Sequence, residues 1–317
     1  MFFCACSENQ TGAFERIKLC EVTRSVFYCP QYVAMSKGFF DDENLQIELS
    51  TAEGSDKVMT AILSSQSDIG LLGASAIISV IEQGKENPPA AFAQLTERDG
   101  SFLISREPHF DWSNVKGKEF IAGRKGGVPE MILEHVLKNH DIEPTVDVKL
   151  LNNIQFNLMP VAFGRGIGDY VCLFEPIASR IVSEKNFYSI LPVGKECEPI
   201  PYTCYCASSE YMQKNPKTIQ KFTNAIYKAQ KWVQTHTPEE IADDISQYFI
   251  DFDVRALAEC IEKYKEIGVW SKTPLIPKDE FERLEQIMRE SNELHSNVEY
   301  EKAINNTWAE NTINSEA

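Results

Sequence analysis

The stretch Gly123-Arg124-Lys125-Gly126-Gly127-Val128-Pro129-Glu130 decides the fold of this 317-residue chain. Residues 118–122 before it predict a short buried strand, and residues 131–137 after it carry apolar side chains at helical spacing. Pro129 suits the first position of a helix, and Glu130 suits the positive end of the helix dipole. A strand, a glycine turn and a helix start leave free backbone N–H groups facing a cleft, where a small ligand can bind.

A second turn of the same kind, Gly70-Leu71-Leu72-Gly73-Ala74-Ser75, lies earlier in the chain. Either turn alone is also what an ordinary connection between a strand and a helix requires. Because there are two of them, we predict two lobes that close on one ligand.

Length, composition and charge narrow the class of protein. A chain of 317 residues favours two lobes, and 43% hydrophobic with 25% charged residues is typical of a globular protein. The formal net charge of −16 argues against a nucleic-acid or anionic-membrane partner, since both need clustered Lys and Arg. The sequence contains no apolar run near the roughly 20 residues of a membrane-spanning helix.

Residues 1–13 resemble the end of a bacterial lipoprotein signal, in which Cys6 would carry the lipid. The alternative is a disordered cytoplasmic start with incidental cysteines. We therefore expect an extracytoplasmic protein that is tethered to the outer face of the bacterial cell membrane by a lipid only.

The other cysteines lack the paired spacing of a zinc site. Cys204 and Cys206 flank Tyr205 in a predicted strand, where both would face the same side. Buried free thiols are expected, with a metal or redox role as the alternative. We predict no metal site, no cofactor and no catalytic residue.

Strands and helices alternate through the first two thirds of the chain, which predicts parallel sheets with right-handed crossovers. The sequence predicts a first lobe from the strands near residues 17–23, 45–49, 68–72 and 90–96. A second sheet is predicted from strands at 118–122, 146–151 and 170–174, completed by 187–193 and 203–207. From Asn215 onward the pattern is helical, and we expect these helices to pack on the first lobe.

Three motifs carry a resemblance to a known family. Tyr32-Val33-Ala34-Met35-Ser36-Lys37-Gly38-Phe39-Phe40 is similar to the opening helix of bacterial ABC-transporter substrate-binding proteins, in the group that joins alkanesulfonate receptors to thiamine-pyrimidine receptors. Asp68-Ile69-Gly70 with Gly73-Ala74-Ser75 resembles the first-lobe turn of that group. Phe174-Glu175-Pro176-Ile177-Ala178 resembles its W/F-E-P-x-A segment, so the likeness covers nearly the whole chain beyond Phe14.

The resemblance implies a type II periplasmic-binding-protein fold, an α/β fold with two Rossmann-like lobes joined by two crossover strands. We place the crossovers near 96–100 and 202–207. Lobe one would then comprise residues 14–98 and 206–317, including the C-terminal helices, and lobe two residues 99–205.

The ligands of that group include alkanesulfonates, nitrate, taurine and thiamine-related pyrimidines, so the site residues must decide between them. We expect Glu175 to face the cleft and to favour an amine or amidine edge, and Phe27, Tyr28 and Tyr32 to sandwich a flat ring. This predicts an aminopyrimidine, whereas Arg98, Arg124 and Lys125 could neutralise an anion, the alternative ligand. We expect Arg98 instead to pair with Asp99 or Asp56, and Arg124 and Lys125 to remain partly solvated. The alternative without a ligand is that these aromatic side chains belong to the core and that Glu175 is a structural residue that caps a helix.

The predicted ligand-binding residues are Ser25, Phe27, Tyr28, Tyr32, Asp56, Gly73, Ala74, Ser75, Thr96, Arg98, Lys125, Gly126, Gly127, Val128, Glu175 and Tyr202. The implied partners are the small-molecule ligand and the permease and ATPase subunits of an importer. The rival of another class is an enzyme like the eukaryotic pyrimidine synthases of the same family, which carry a cysteine-rich run that this chain lacks. A sensor domain is a third possibility, without an output domain in the sequence.

Overall fold

The computed structural model describes residues 14–316 and forms two five-stranded sheets over that part of the chain. In the first sheet the strand order is β2-β1-β3-β10-β4, and β10 runs antiparallel to both of its neighbours. Its strands are β1 (Glu15–Glu21), β2 (Leu45–Thr51), β3 (Ile69–Gly73), β4 (Ala90–Thr96) and β10 (Thr203–Ala207).

The second sheet repeats this arrangement. Its order is β7-β6-β8-β5-β9, and β5 runs antiparallel to both β8 and β9. Its strands are β5 (Ser101–Ser105), β6 (Glu119–Ile121), β7 (Lys149–Leu150), β8 (Tyr170–Phe174) and β9 (Tyr188–Pro192). The prediction of an α/β fold with two similar sheets is confirmed.

Helices cover the sheets and make up most of the chain beyond Ser209. Those within and between the sheets are α1 (Cys29–Ser36), α2 (Phe39–Asp42), α3 (Ser55–Leu63), α4 (Ala74–Glu82), α5 (Val128–Asn139), α6 (Met159–Gly164) and α7 (Ile177–Lys185). Those that follow are α8 (Ser209–Lys214), α9 (Pro216–Thr235), α10 (Pro238–Ile245), α11 (Val254–Ile267), α12 (Lys278–Glu290), α13 (Tyr300–Ala303) and α14 (Thr307–Glu316). A capping box opens α10, since Glu240 N donates to Thr237 Oγ1 and Thr237 N donates to Glu240 Oε2.

The chain passes between the sheets twice, first from β4 to β5 and then from β9 to β10. The two crossings run side by side, because Ile200 N donates to Glu97 O at 2.9 Å and Tyr202 N donates to Thr96 O at 3.1 Å. Asp99 is buried between them, and its carboxylate accepts hydrogen bonds from Ser101 N and from the Tyr202 hydroxyl. We propose that the lobe boundaries lie in these two crossings.

One predicted strand belongs to the other sheet. The segment Thr203–Ala207, expected to complete the second sheet, lies between β3 and β4 in the first sheet. That expectation is wrong because β10 pairs with strands more than 100 residues earlier in the chain, with Thr203 opposite Gly73 and Thr96. No local pattern specifies such a pairing.

The helices after residue 209 pack on both lobes, and not on lobe one alone as predicted. Helix α9 packs on α1 and α2, and α14 packs on α9 and β4, as expected for lobe one. Helix α12 instead lies between α5 of the second layer and α4 of the first. The C-terminal region therefore joins the lobes in addition to the two crossings.

Glu97, in the first crossing, gives the protein a pH dependence. Burial, followed by the nearby carboxylate of Glu280, raises the pKa of Glu97 from 4.5 to about 7. The folded state then binds a proton more tightly than the unfolded state between about pH 4.5 and 7. Stability therefore falls as pH rises through this window, by about 1 kcal/mol, because Glu97 is partly exposed to solvent. Urea unfolding at pH 5, 6, 7 and 8 measures the free energy of unfolding as a function of pH. We expect this free energy to fall less steeply with pH in Glu97→Gln than in the unaltered protein, and an equal dependence on pH would contradict the assignment to Glu97.

Residues 14–316 include no helix that is both long and apolar enough to cross a membrane. The seven cysteines in this part of the chain are free thiols and all are buried, as predicted. Cys6 and the lipid expected on it lie outside the described residues.

Candidate functional site

A cavity of about 770 Å³ lies between the two lobes, at the edge where parallel strands of each sheet end. From the first lobe it is lined by the turn after β1, the turn at Phe27 and Tyr28, and the starts of α3 and α4. From the second lobe it is lined by residues 123–127, called here the anchor loop, by the loop after β7 and by the end of β8. The carboxyl ends of such strands are the usual ligand site of α/β folds.

Three helices begin at the cavity wall. Their preceding residues are Gly54 for α3, Gly73 for α4 and Gly127 for α5, and each of these glycines lines the cavity. Within the described chain, none of these helix starts has a hydrogen bond from a capping side chain. Their first-turn N–H groups and the positive ends of three helix dipoles therefore favour an anionic or strongly accepting group in the cavity.

Two largely buried residues also present hydroxyl groups to the cavity. Tyr28 is 3% exposed and Ser75 is 5% exposed, and both line it. Burial raises the pKa of Tyr28, so its hydroxyl stays protonated and can donate a hydrogen bond. The two hydroxyl groups can therefore hydrogen-bond a group that is bound in the cavity.

Aromatic rings form one wall of the cavity. Phe27 and Phe174 have ring centroids 5.1 Å apart, and Phe156 lies 5.5 Å from Phe174. Tyr202 meets the edge of Phe27 at 5.4 Å. A flat or apolar part of a ligand can lie against this wall.

An ion pair joins the lobes at the cavity. Arg124 Nη1 lies 2.8 Å from Asp56 Oδ1, which connects the anchor loop to the first turn of α3. Gly54 makes room for the guanidinium, because a Cβ on Gly54 would lie 3.0 Å from Arg124 Nη1. The two side chains are 42% and 66% exposed, so this pair lies at the solvent-facing edge of the cavity.

Lys125 is neutralised by carboxylates on the other side of the anchor loop. Its Nζ lies 3.4 Å from Glu130, 3.3 Å from Glu134 and 3.5 Å from Glu293. Burial lowers the pKa of Lys125, but Glu130 and Glu134 outweigh this and raise it. Lys125 therefore stays charged, and that charge is already balanced within the protein.

The structure brings ten of the predicted site residues together at the cavity and leaves six away from it. The ten that line it are Phe27, Tyr28, Asp56, Gly73, Ser75, Lys125, Gly126, Gly127, Val128 and Tyr202. The six that do not are Ser25, Tyr32, Ala74, Thr96, Arg98 and Glu175.

Glu175 does not face the cleft, contrary to the prediction. Its side chain is 1% exposed and turns back into the protein, where Ser179 N and Ser179 Oγ donate to it at 2.9 and 2.8 Å. Lys263 Nζ from α11 forms an ion pair with it at 2.8 Å. The alternative reading, a structural Glu at a helix start, is what the structure shows.

Tyr32 and Ser25 also have structural positions. The Tyr32 hydroxyl donates to the buried carboxylate of Glu21 at 2.7 Å, because α1 turns Tyr32 toward α10 and away from the cavity. Ser25 Oγ donates to Glu175 O at 2.6 Å and accepts from Phe27 N at 3.1 Å. Ser25 therefore ties the first lobe to the end of β8.

The remaining three residues lie in the crossings or beneath the cavity wall. Arg98 was expected to pair with Asp99 or Asp56, but its Nη1 donates to Cys197 O at 2.7 Å, on a different face of the protein. Thr96 is buried and accepts a hydrogen bond from Thr203 N at 3.1 Å. Ala74 is 1% exposed and packs in the core.

Some cavity residues were missed. They include Thr23, Ser55, Asn152, Asn153, Gln155 and Phe156. The loop after β7 could have been found from the rule that ligands bind beyond the carboxyl ends of parallel strands, since a strand had been predicted just before it.

The cavity lining contains no histidine and no cysteine among the described residues. No group of three or more His, Cys, Asp or Glu side chains in residues 14–316 is arranged to hold a metal ion. The arrangement offers hydrogen-bond donors, an aromatic wall and two hinged walls, which suffice to bind a ligand.

Comparison with known proteins gives a family and a fold. The family model described as NMT1/THI5 like matches residues 27–241. A Bacillus subtilis protein named for a binding role, YtlA, is 44% identical over 308 residues, which cover 96% of this chain and 92% of YtlA.

A more distant relative is an enzyme. The 4-amino-5-hydroxymethyl-2-methylpyrimidine phosphate synthase of Candida albicans is 23% identical over 236 residues, covering 68% of this chain and 66% of the synthase. The alkanesulfonate-binding protein SsuA of Xanthomonas axonopodis pv. citri, solved bound to MOPS, has the same fold. It superposes with a TM-score of 0.75 over 94% of this chain and 100% of SsuA, at 10% identity. The predicted periplasmic-binding-protein fold is confirmed.

Proposed function

We propose that this chain, which belongs to the NMT1/THI5-like family, is the solute-binding receptor of an ABC importer. The observation that carries the proposal is the cavity between the lobes, whose walls come from both sheets and whose lobes are joined by two crossings that run side by side in opposite directions. Closure of two lobes around a ligand is enough for a receptor. Its partners would be the permease and ATPase subunits of that importer, and the receptor itself would lie outside the cytoplasm with a lipid on Cys6 as the tether.

We further propose that the ligand has a flat body and an anionic head group. The helix starts at Gly54, Gly73 and Gly127, with the Tyr28 and Ser75 hydroxyls, would bind the head group through neutral donors. The aromatic wall would hold the flat body. An aminopyrimidine phosphate combines the predicted ring with the predicted anionic alternative. An alkyl sulfonate has the anionic head group with an apolar chain in place of the ring, which the aromatic wall can also hold.

A neutral aminopyrimidine has lost its main support. That prediction rested on a Glu175 carboxylate facing the ligand, and Glu175 is occupied by Lys263 and Ser179. The carboxylate of Asp56 at the cavity is paired with Arg124. The synthase alternative rests on distant relatives alone, which are 23% identical to this chain, and the described cavity lining contains neither histidine nor cysteine.

A thermal-shift panel tests the proposal. The compounds are 4-amino-5-hydroxymethyl-2-methylpyrimidine phosphate, the same pyrimidine without phosphate, hexanesulfonate and nitrate. A compound that binds the folded state at 100 times its Kd stabilises it by about 2.7 kcal/mol and raises the melting temperature. We expect a shift with the phosphate or the sulfonate and none with the neutral pyrimidine. An equal shift with the neutral pyrimidine would contradict the head group, and no shift with any compound would contradict the ligand class.

Replacing Tyr28 by Phe is expected to weaken binding of the compound that shifts the melting temperature by about 1.5–3 kcal/mol. This is the range for a hydrogen bond to a charged group, and the Tyr28 hydroxyl has no other described partner to keep. Titration calorimetry measures the change. Tyr188→Phe is the matched control, because Tyr188 is 41% exposed and lies outside the cavity. Unchanged affinity in Tyr28→Phe would remove Tyr28 from the site.

A further inference from the structure

We propose that residues 291–298, called here the C-terminal strap, form a third connection between the lobes, and that Glu293 is a positioning residue that holds the anchor loop against the cavity. The inference rests on the proposed receptor function, because it assigns ligand affinity to a residue that does not line the cavity. Four sets of contacts carry it.

The strap is fixed to the end of α12. Val298 N donates to Glu285 Oε1 at 3.0 Å, and Arg289 Nη2 donates to Asn297 Oδ1 at 2.8 Å. Leu294 is 2% exposed and buries its side chain in the core. The strap and α12 therefore behave as one body, with an apolar anchor and polar ties.

The strap holds the first lobe through α4. Glu82, in the last turn of α4, accepts hydrogen bonds from His295 N at 2.7 Å, Ser296 N at 2.9 Å and Ser296 Oγ at 3.1 Å. The backbone N–H of His295 lowers the pKa of Glu82 against the opposing effect of desolvation, and the backbone N–H and hydroxyl of Ser296 lower it further. The carboxylate stays ionised at neutral pH, when hydrogen bonds to it are strongest.

The strap holds the second lobe through the anchor loop. Glu293 Oε1 lies 3.5 Å from Lys125 Nζ. Gly126, which has a φ of +75°, leaves the space for this contact, because a Cβ there would lie 2.8 Å from Glu293 Oε2. The loop is thus shaped to receive this carboxylate.

Helix α12 reinforces the second contact. His135 Nδ1 of α5 lies 2.7 Å from Glu290 Oε2, and Lys138 donates to the Glu290 carbonyl oxygen. These residues follow the anchor loop along α5, so α12 and the strap run beside α5 as far as the cavity edge.

The consequence concerns opening of the cleft. The two crossings allow the lobes to move apart, but the strap touches α4 on one side and the anchor loop on the other. Opening at this edge must break either the contacts of the strap and α12 with α4, which include those of Glu82, or their contacts with the anchor loop and α5, which include the Glu293–Lys125 pair. Lys125 then binds the strap rather than the ligand. Glu293 stabilises the position of the anchor loop against the cavity through this ion pair.

Hydrogen exchange of the full chain without ligand tests the strap directly. Exchange of the amides in 123–128 is expected to be about two- to fivefold faster in Glu293→Gln than in the unaltered protein, the effect of losing a partly exposed ion pair. Glu82→Gln is expected to act in the same direction. Glu282→Gln is the matched control, since Glu282 is an exposed carboxylate on α12 away from both contacts.

A double variant tests whether Glu293 holds the anchor loop through its ion pair with Lys125. Adding Glu293→Gln to Lys125→Gln is expected to cause no further acceleration, because the second change removes a partner that is already lost. Dissociation of 4-amino-5-hydroxymethyl-2-methylpyrimidine phosphate is expected to be faster in Glu293→Gln by the same factor. If Glu293→Gln and Glu82→Gln exchange at the rate of the control, the strap proposal is wrong. If this compound does not bind the unaltered protein, this choice of ligand fails, while the exchange measurement still decides the strap.

Discussion

Replacing Phe27 by Ala is expected to lower the free energy of unfolding by about 3–5 kcal/mol, as large aromatic-to-alanine changes in a core do. Phe27 is 1% exposed, and its ring lies 5.1–5.7 Å from the rings of Phe174, Tyr202 and Tyr264. Its carbonyl oxygen also accepts a hydrogen bond from Trp270 Nε1 at 2.9 Å. The ring therefore joins the first lobe, the second lobe and the C-terminal region at one point, and alanine would leave that point empty. Urea unfolding at pH 7 measures the loss.

Two further variants show whether the loss of stability in Phe27→Ala comes from the packing of a buried ring. Phe27→Leu keeps most of the volume and is expected to lose less than about 1.5 kcal/mol, so it shows whether packing is the cause. Phe14→Ala removes the same ring from a residue that is 51% exposed, and is expected to change stability by less than about 0.5 kcal/mol. A loss below 1 kcal/mol in Phe27→Ala would show that the junction is not a packed core.

Replacing Lys263 by Met is expected to destabilise the protein by about 3 kcal/mol. The change leaves the Glu175 carboxylate 1% exposed and without its cation, which is costly even though Ser179 still donates to it. The expected loss is at the lower end for a broken buried pair, because Lys263 is itself 39% exposed. Thermal and urea unfolding measure it, and Lys217→Met on the exposed face of α9 is the matched control.

The double variant separates structure from ligand binding. Glu175→Gln with Lys263→Met removes both charges, so it is expected to be more stable than Lys263→Met alone. Glu175→Gln alone is expected to bind the ligand as tightly as the unaltered protein. A tenfold loss of affinity in a folded Glu175→Gln variant would return Glu175 to the ligand site.

The sequence predicted strands, helices and turns well where their formation depends on residues that are neighbours in the chain. The strands Tyr170–Phe174 and Ala90–Thr96 lie where strand composition places them, and helix α9 begins at Pro216, next to the Asn215 from which a helical pattern was predicted. The glycine turn at 123–127 and the turn ending at Gly73 do meet at one cavity, because both follow parallel strands and open helices.

Sequence failed where the cause is a contact between distant residues. Glu175 was given the wrong surroundings because its cation, Lys263, lies 88 positions later in a helix whose packing is not encoded locally. Arg98 was placed at the cavity for its charge, whereas the direction of the first crossing carries it to the carbonyl oxygens of Gly194 and Cys197. Tyr32 was placed on the cavity face of α1, although its partner Glu21 lies in the core.

The insertion of β10 between β3 and β4, and of β5 between β8 and β9, has an evolutionary consequence. The two halves differ in how the chain supplies them. The first half needs β10, which the chain delivers only after it has passed through the second half, whereas β5 to β9 all come from one continuous segment. The second half could therefore be exchanged between homologues as a cassette with joints in the two crossings, but the first half could not be moved as a single piece of chain.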